Sequence, residues 1–222
     1  MVKSRVAEKA LNRLKIQINR LETSFLKVQC ERPNMKRAEY WYLLEGLLSQ
    51  FWQAWCGFCR QYCISHSVGY TFSSGTITQT RIWANSNDAA RYNLTKLANN
   101  RNCLVSSLQP YTGNFVQRYE CTWGDPDKLL NIFLALNTAH ERTILNFPEI
   151  HSLKHLQITR NCTAHITSEN QVSLRQVALN YRGNFISHPT DFLSWETPSN
   201  NDYVFVSWLI HAQLIAEFLC SQ

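Results

Sequence analysis

The most promising chemical groups of the chain lie in one short run, from Arg160 to His165, which reads RNCTAH. It offers an imidazole that titrates near neutral pH, a permanently charged guanidinium and a polar side-chain amide. On a helix, Asn161 and His165 are four residues apart and share a face, and the long side chain of Arg160 can reach the same edge. Such an edge would supply a titratable imidazole, a permanent cation suited to phosphate and an amide that can orient either one.

Two other pairs have the same residue types at a looser spacing, Arg60 with His66 and Arg182 with His188. The run that begins at Arg160 differs from both, because it alone has an asparagine directly after the arginine and a small residue before the histidine. It also follows a clean amphipathic pattern, which is typical of a helix. We therefore favour the run at Arg160 as the candidate site.

This run resembles the R-N-x-x-x-H signature of the HEPN superfamily, small all-helical domains that include many metal-independent ribonuclease toxins and antiviral effectors. The wider layout is similar too, with long early helices and the motif on a late helix. The resemblance implies that Arg160, Asn161 and His165 occupy the family's catalytic positions. It also implies attack of an RNA 2′-OH on the adjacent phosphodiester, leaving a 2′,3′-cyclic phosphate, with no metal or other cofactor.

The resemblance assigns a role to each residue of the motif. His165 would act as general base or acid, Arg160 would stabilise the negative charge of the phosphorane, and Asn161 would orient His165 or contact the phosphate. One motif supplies one imidazole, so the resemblance implies a two-fold homodimer with a composite site. We expect a toxin or antiphage effector that acts on RNA, with an antitoxin or regulatory protein as a further partner. The alternative is a catalytically silent HEPN-like module that binds a partner protein or dimerises.

Glu45 is a further candidate catalytic residue, on an earlier helix. It lies in the stripe formed with Trp41, Leu48 and Trp52, so the pattern predicts a carboxylate facing an apolar seam. Burying a charge costs free energy unless it has an oppositely charged partner. Carboxylates that lie in apolar surroundings despite this cost are often found in functional sites. The alternative, which the sequence leaves equally open, is a structural ion pair with a nearby arginine.

Four residues of metal-ligand type lie close together at Cys56, Cys59, Cys63 and His66. On a straight helix they form one stripe about 15 Å long, which is too extended for a single tetrahedral zinc ion. The stripe continues the apolar positions before it, so we favour thiols buried in a seam between helices. A zinc-binding module is the alternative.

The net charge of +6 is confined to one end of the chain. Residues 1–40 hold ten basic and four acidic side chains, whereas the remaining 182 residues hold 12 of each. Residues 1–32 are expected to form a basic amphipathic helix. Its charge would steer RNA or an acidic partner towards the molecule without taking part in catalysis.

The composition and the periodic apolar pattern predict an all-α, antiparallel multi-helix bundle, a single domain over residues 1–222. Hydrophobic residues make up 45% of the chain, which is enough for a core. The chain has only seven glycines and six prolines, and this low number disfavours a turn-rich β architecture. We expect helices before Pro33, over about 35–66, 88–100 and 125–148, through the motif at 160–165, and after Asp202. An irregular insertion is expected around 67–124, with a loop and a short strand in 67–85, and 167–201 is expected to be less regular.

No run of about 18 apolar residues is present, which excludes a membrane span from the sequence pattern. The N-terminal segment has no apolar core of a secretory signal. We therefore expect a cytoplasmic protein whose eight cysteines are reduced thiols.

Overall fold

The computed structural model describes residues 6–69, 78–136, 143–144, 147–183, 185–198 and 201–221. These residues confirm the predicted all-α, multi-helix bundle and contain no β-strand. Their seven helices are α1 (Val6–Glu31), α2 (Arg37–Val68), α3 (Asn87–Asn99), α4 (Pro126–Leu136), α5 (Glu149–Ala164), α6 (Ser168–Ala178) and α7 (Val204–Cys220).

The two long helices at the start of the chain pack against each other in opposite directions. Along α1, apolar residues three or four apart are buried, and the basic residues lie on the other faces. Pro33 lies in a short 3-10 turn that ends α1 and leads into α2. Tyr40, near the start of α2, donates a hydrogen bond to the Gln29 side chain near the end of α1, at 3.1 Å. The antiparallel packing of α1 against α2 agrees with the predicted antiparallel bundle.

The last helix, α7, also runs antiparallel to α1 and completes this side of the core. Phe25, late in α1, contacts Phe205 at the start of α7, with ring centroids 4.9 Å apart. Lys15, earlier in α1, binds Glu217 near the end of α7, at 2.6 Å. The helix expected after Asp202 is confirmed: α7 begins at Val204, and the side chain of Tyr203 before it forms no capping hydrogen bond.

A buried carboxylate, that of Glu120, is one of the groups that attach the irregular segment after α3 to the bundle. Its side chain is 4% exposed and accepts hydrogen bonds from Arg60 Nε at 2.7 Å, from Trp123 Nε1 at 2.6 Å and from Arg91 Nε. Burial alone would raise the pKa of Glu120, but these donors outweigh it and hold that pKa below its usual value. Arg60 belongs to α2 and Arg91 to α3, so the carboxylate joins three parts of the fold.

The predicted helix start at 125–127 is confirmed. The Asp125 side chain accepts a hydrogen bond from the backbone N–H of Asp127 at 3.0 Å, and Pro126 is the first helical residue of α4. The predicted continuation of this helix towards Pro148 covers 137–142 and 145–146, which lie outside the described residues. The predicted loop with a short strand includes 70–77, which also lie outside them.

One helix is missing from the sequence-based prediction. The segment 167–201 was expected to be less regular, but Ser168–Ala178 form α6. Thr167 caps it, because its hydroxyl oxygen accepts a hydrogen bond from the backbone N–H of Asn170 at 3.2 Å. Leu174, Val177 and Ala178 bury its inner face, while exposed Val172 and Leu179 interrupt the helical pattern of apolar residues.

None of the helices in the described segments is both long enough and apolar enough to cross a lipid bilayer.

The core contains histidines that favour the neutral form, and we expect them to make stability depend on pH. Burial, together with the nearby Arg81 guanidinium, lowers the pKa of His66 from 6.5 to about 4. Burial likewise lowers the pKa of His155 to about 4. The unfolded chain therefore binds more protons between pH 6.5 and 4, so the free energy of unfolding falls as the solution is acidified through this range.

For His66 alone, we expect a loss of about 2 kcal/mol between pH 7.5 and pH 5, measured by urea unfolding. The variant His66→Gln, which does not titrate, should lose less over the same interval. Equal free energies of unfolding for the native chain at both pH values would contradict the expectation.

Candidate functional site

The candidate motif lies where α5 ends and α6 begins, a region called here the α5–α6 corner (residues 160–170). Helix α5 ends at Ala164, and the backbone N–H of His165 closes its last turn on the carbonyl oxygen of Asn161 at 2.9 Å. At His165 the backbone is extended, with φ −145° and ψ 95°. The prediction that Asn161 and His165 share a helix face is therefore wrong, because the helix stops one residue before His165.

The backbone beyond His165 is fixed by the start of the next helix. The side-chain amide of Asn170 donates a hydrogen bond to the carbonyl oxygen of His165 at 2.7 Å. The side chain of His165 is exposed, and no hydrogen bond to its ring is made within the described residues. The imidazole is thus accessible to a substrate from solvent, on a backbone that is held in place.

Arg160 is half-buried on the last turn of α5. Its Nη1 atom lies 3.4 Å from Oδ1 of Asn161. Burial raises the pKa of the Cys56 thiol on α2 to about 12, while the Gly124 N–H and the Arg160 guanidinium act in the opposite direction. Arg160 therefore lies near α2. Across the described segments it forms no salt bridge with a carboxylate, so its charge is available to an anion.

Of the three predicted residues, the structure brings only two into side-chain contact. Arg160 and Asn161 are in side-chain contact, whereas His165 is joined to Asn161 only through the backbone. The amide of Asn161 is thus placed to orient the guanidinium rather than the imidazole.

Glu45 binds a histidine instead of the arginine that the structural alternative anticipated. Its Oε1 atom lies 3.2 Å from Nε2 of His188, and both side chains are partly exposed. The ring of Trp41 stacks on His188, with centroids 4.6 Å apart and an angle of 19° between the planes. The carboxylate lies at the edge of the apolar seam and not inside it.

His188 is fixed at its second ring nitrogen as well. The hydroxyl of Thr190 lies 2.9 Å from Nδ1 and its backbone N–H donates to Nδ1 at 3.3 Å, an arrangement that favours the proton of the neutral imidazole on Nε2, facing Glu45. Burial lowers the pKa of His188, against the opposing effect of Glu45 and Asp191. With both nitrogens engaged, His188 is held in one orientation.

The same turn is organised by a single carboxylate, that of Asp191. Its Oδ2 atom accepts the backbone N–H groups of Ser187 and His188 at 2.7 and 2.8 Å. Its Oδ1 atom accepts a hydrogen bond from Trp41 Nε1 at 2.7 Å. Sequence reasoning found Glu45 but missed this partner turn, since 143 residues separate Glu45 from His188 and no local pattern joins them.

The two looser Arg–His pairs are engaged elsewhere. In the first pair, Arg60 is bound to Glu120, and His66 is 2% exposed. In the second pair, Arg182 donates to the Asn201 side chain at 2.8 Å. Only the pair at the α5–α6 corner combines an exposed imidazole with a guanidinium that binds no carboxylate among the described residues.

The cysteine stripe of α2 belongs largely to the core. Cys59, Cys63 and His66 are buried, and Cys56 packs against the core from its edge. This burial agrees with the interpretation of thiols in a seam between helices. In the described part of the chain, no group of three or more His, Cys, Asp or Glu side chains has an arrangement that would hold a metal ion.

No family model, no curated protein and no solved structure matches this chain.

Proposed function

We propose that this protein is a HEPN-type endoribonuclease that cleaves RNA without a metal ion. The observation that carries the proposal is the α5–α6 corner, where an exposed imidazole and a guanidinium free of carboxylates among the described residues lie within six residues. The all-helical fold is of the kind that the motif implies. The reaction is attack of the 2′-OH on the adjacent phosphodiester, so the substrate must be RNA.

Each side chain of the corner has a role in this reaction. His165 takes the proton of the 2′-OH or gives one to the leaving oxygen. Arg160 stabilises the additional negative charge of the phosphorane. Asn161, at 3.4 Å from the guanidinium, holds Arg160 in place for that contact. Glu45 positions His188 and does not touch the RNA.

The basic face of α1 is suited to attracting RNA over a longer range. Lys9, Arg13, Arg20 and Lys27 are exposed on it. A surface of this kind raises the association rate of a polyanion, most strongly at low ionic strength.

A second imidazole is supplied by a second copy of the chain in the proposed dimer. Ile166 and Val172, on either side of the start of α6, are 65% and 56% exposed. Apolar side chains beside His165 are suited to a two-fold contact that brings two corners together. A toxin or antiphage effector built in this way also needs a means of control, such as an antitoxin that covers the corner.

The test is cleavage of a structured RNA and of its all-DNA counterpart by the purified protein in EDTA. We expect RNA fragments that end in 2′,3′-cyclic phosphate, identified by mass spectrometry, and intact DNA, because only RNA has the attacking hydroxyl. Cleavage of both polymers, or fragments that end in 3′-hydroxyl groups, would contradict the mechanism.

A second candidate function is a catalytically silent module that binds a partner protein. Leu179 and Phe185 are 79% and 77% exposed and lie beside one cavity with Trp195, a surface that favours protein contact. This function would be favoured if the protein leaves RNA intact in the assay above but forms a stable complex with another protein.

A further inference from the structure

A cavity of about 200 Å³ lies beside the α5–α6 corner, enclosed by α5, α6 and the turn around His188. Its apolar walls come from Cys162, Leu174, Ile186 and Pro189. Pockets for drug-sized ligands usually measure about 300–1,000 Å³. This smaller space is therefore suited to a single planar ring system and not to a whole nucleotide.

The cavity lies next to the proposed catalytic site, although Arg160, Asn161 and His165 are not among the residues that line it. Ile166 forms part of its wall and directly follows His165, so their Cα atoms are only about 3.8 Å apart. An RNA strand whose phosphate lies at His165 would place a neighbouring base within reach of the opening. Cys162, on the last turn of α5, lines the same cavity.

The wall opposite α6 is rigid. His188 lines the cavity while Glu45 and Thr190 hold its two ring nitrogens. The Asp191 carboxylate fixes the backbone at this histidine and at the residue before it, because it accepts the N–H groups of Ser187 and His188. A preformed wall lowers the entropy that binding costs.

The rim carries polar groups that are available to a ligand. Gln171 and Arg175, one helical turn apart on α6, are exposed and line the cavity. Neither side chain forms a hydrogen bond or salt bridge with any residue that the structure describes. A guanidinium carries only donors, and it pairs in bidentate fashion with the O6 and N7 acceptors of guanine. Sequence-specific recognition of single-stranded RNA commonly uses a base turned out of the strand in this way.

We propose that this cavity binds one guanine of the RNA, next to the phosphodiester that is cleaved. Arg175 contacts O6 and N7, Gln171 contacts the edge of the base, and the apolar walls cover its faces. The inference rests on the proposed ribonuclease function and names the base preference of that site.

The first test is the rate of cleavage of short RNAs that hold each of the four bases in turn on either side of one cleavable bond. We expect the native chain to favour guanine at one of these positions by about tenfold or more, and Arg175→Ala to remove most of that preference. The rates at which Arg175→Ala cleaves beside the other three bases should stay within about threefold of the native rates. Gln171→Ala should weaken the preference in the same direction.

Two exposed residues outside the cavity serve as matched controls. Gln176→Ala, on the same helix, and Arg101→Ala, which removes one positive charge elsewhere, should leave the preference unchanged. Equal rates with all four bases, a preference for another base, or a guanine preference that survives Arg175→Ala would each overturn the inference.

A binding assay separates failure of this inference from failure of the ribonuclease function. If the native chain cleaves no RNA, the proposed function is wrong, and the cavity is tested with fluorescent 2′-O-methyl tetranucleotides that cannot undergo the reaction. Tighter binding of the guanine-containing tetranucleotide by about tenfold, lost in Arg175→Ala, would support the cavity. Equal affinities for all four sequences would overturn it.

Discussion

Replacing His165 with alanine is expected to lower the rate of RNA cleavage by about 10²–10⁴-fold, the usual contribution of a general acid or base. The side chain is exposed, so the free energy of unfolding should change by no more than about 0.5 kcal/mol. The measurement is the single-turnover rate on one RNA at saturating protein. His151, exposed near the start of α5, provides the matched control His151→Ala, which should cleave at the native rate.

The proposed reaction also requires the guanidinium of Arg160. Arg160→Ala is expected to lower the rate by about 10²–10³-fold, as loss of a donor to a developing oxyanion usually does. Arg182→Ala removes the arginine of a competing Arg–His pair and should leave the rate unchanged. Native rates in both His165→Ala and Arg160→Ala would show that the site lies elsewhere.

Replacing Glu120 with alanine is expected to lower the free energy of unfolding by about 3–5 kcal/mol, the usual cost of breaking a buried ion pair from one side. The substitution leaves the guanidinium groups of Arg60 and Arg91 and the indole N–H of Trp123 without their shared acceptor. Urea unfolding at pH 7 measures the loss. Because the folded pKa lies below the usual 4.5, this contribution is present at pH 7 and is lost as the pH falls below about 4.5.

A surface ion pair provides the control for this prediction. Glu217→Ala breaks the bond to Lys15, in which both side chains are more than a third exposed, and should cost no more than about 1 kcal/mol. If Glu120→Ala destabilised the protein no more than Glu217→Ala does, the segment around Glu120 would have to be held by other contacts.

Those parts of the fold that depend on local sequence were predictable. The apolar spacing of α1, the break at Pro33 and the Asp125 cap each act within a few residues, and the helices begin or end close to where these signals predict. Helix α6 was missed because exposed Val172 and Leu179 obscure the apolar spacing of a short helix. Its Thr167 cap was the signal that would have revealed it.

The candidate site was proposed from its residues in the sequence, but the geometry of those residues was not predicted. The sequence indicates the run from Arg160 to His165. Helical periodicity predicts that His165 shares a helix face with Asn161, but the helix ends at Ala164, one residue before His165. The partner of Glu45 was beyond sequence reasoning, because only tertiary packing brings His188 to it. The same holds for Arg60 and Glu120, which are 60 residues apart.

The most direct test of the ribonuclease function is the mapping of cellular RNA ends after inducible expression of the native chain and of His165→Ala in a bacterial host. Sequencing that captures only 2′,3′-cyclic phosphate termini should reveal new cleavage sites with the native chain and none with the variant at equal protein levels. The same new sites with both proteins, or no new sites with either, would contradict a catalytic role for His165.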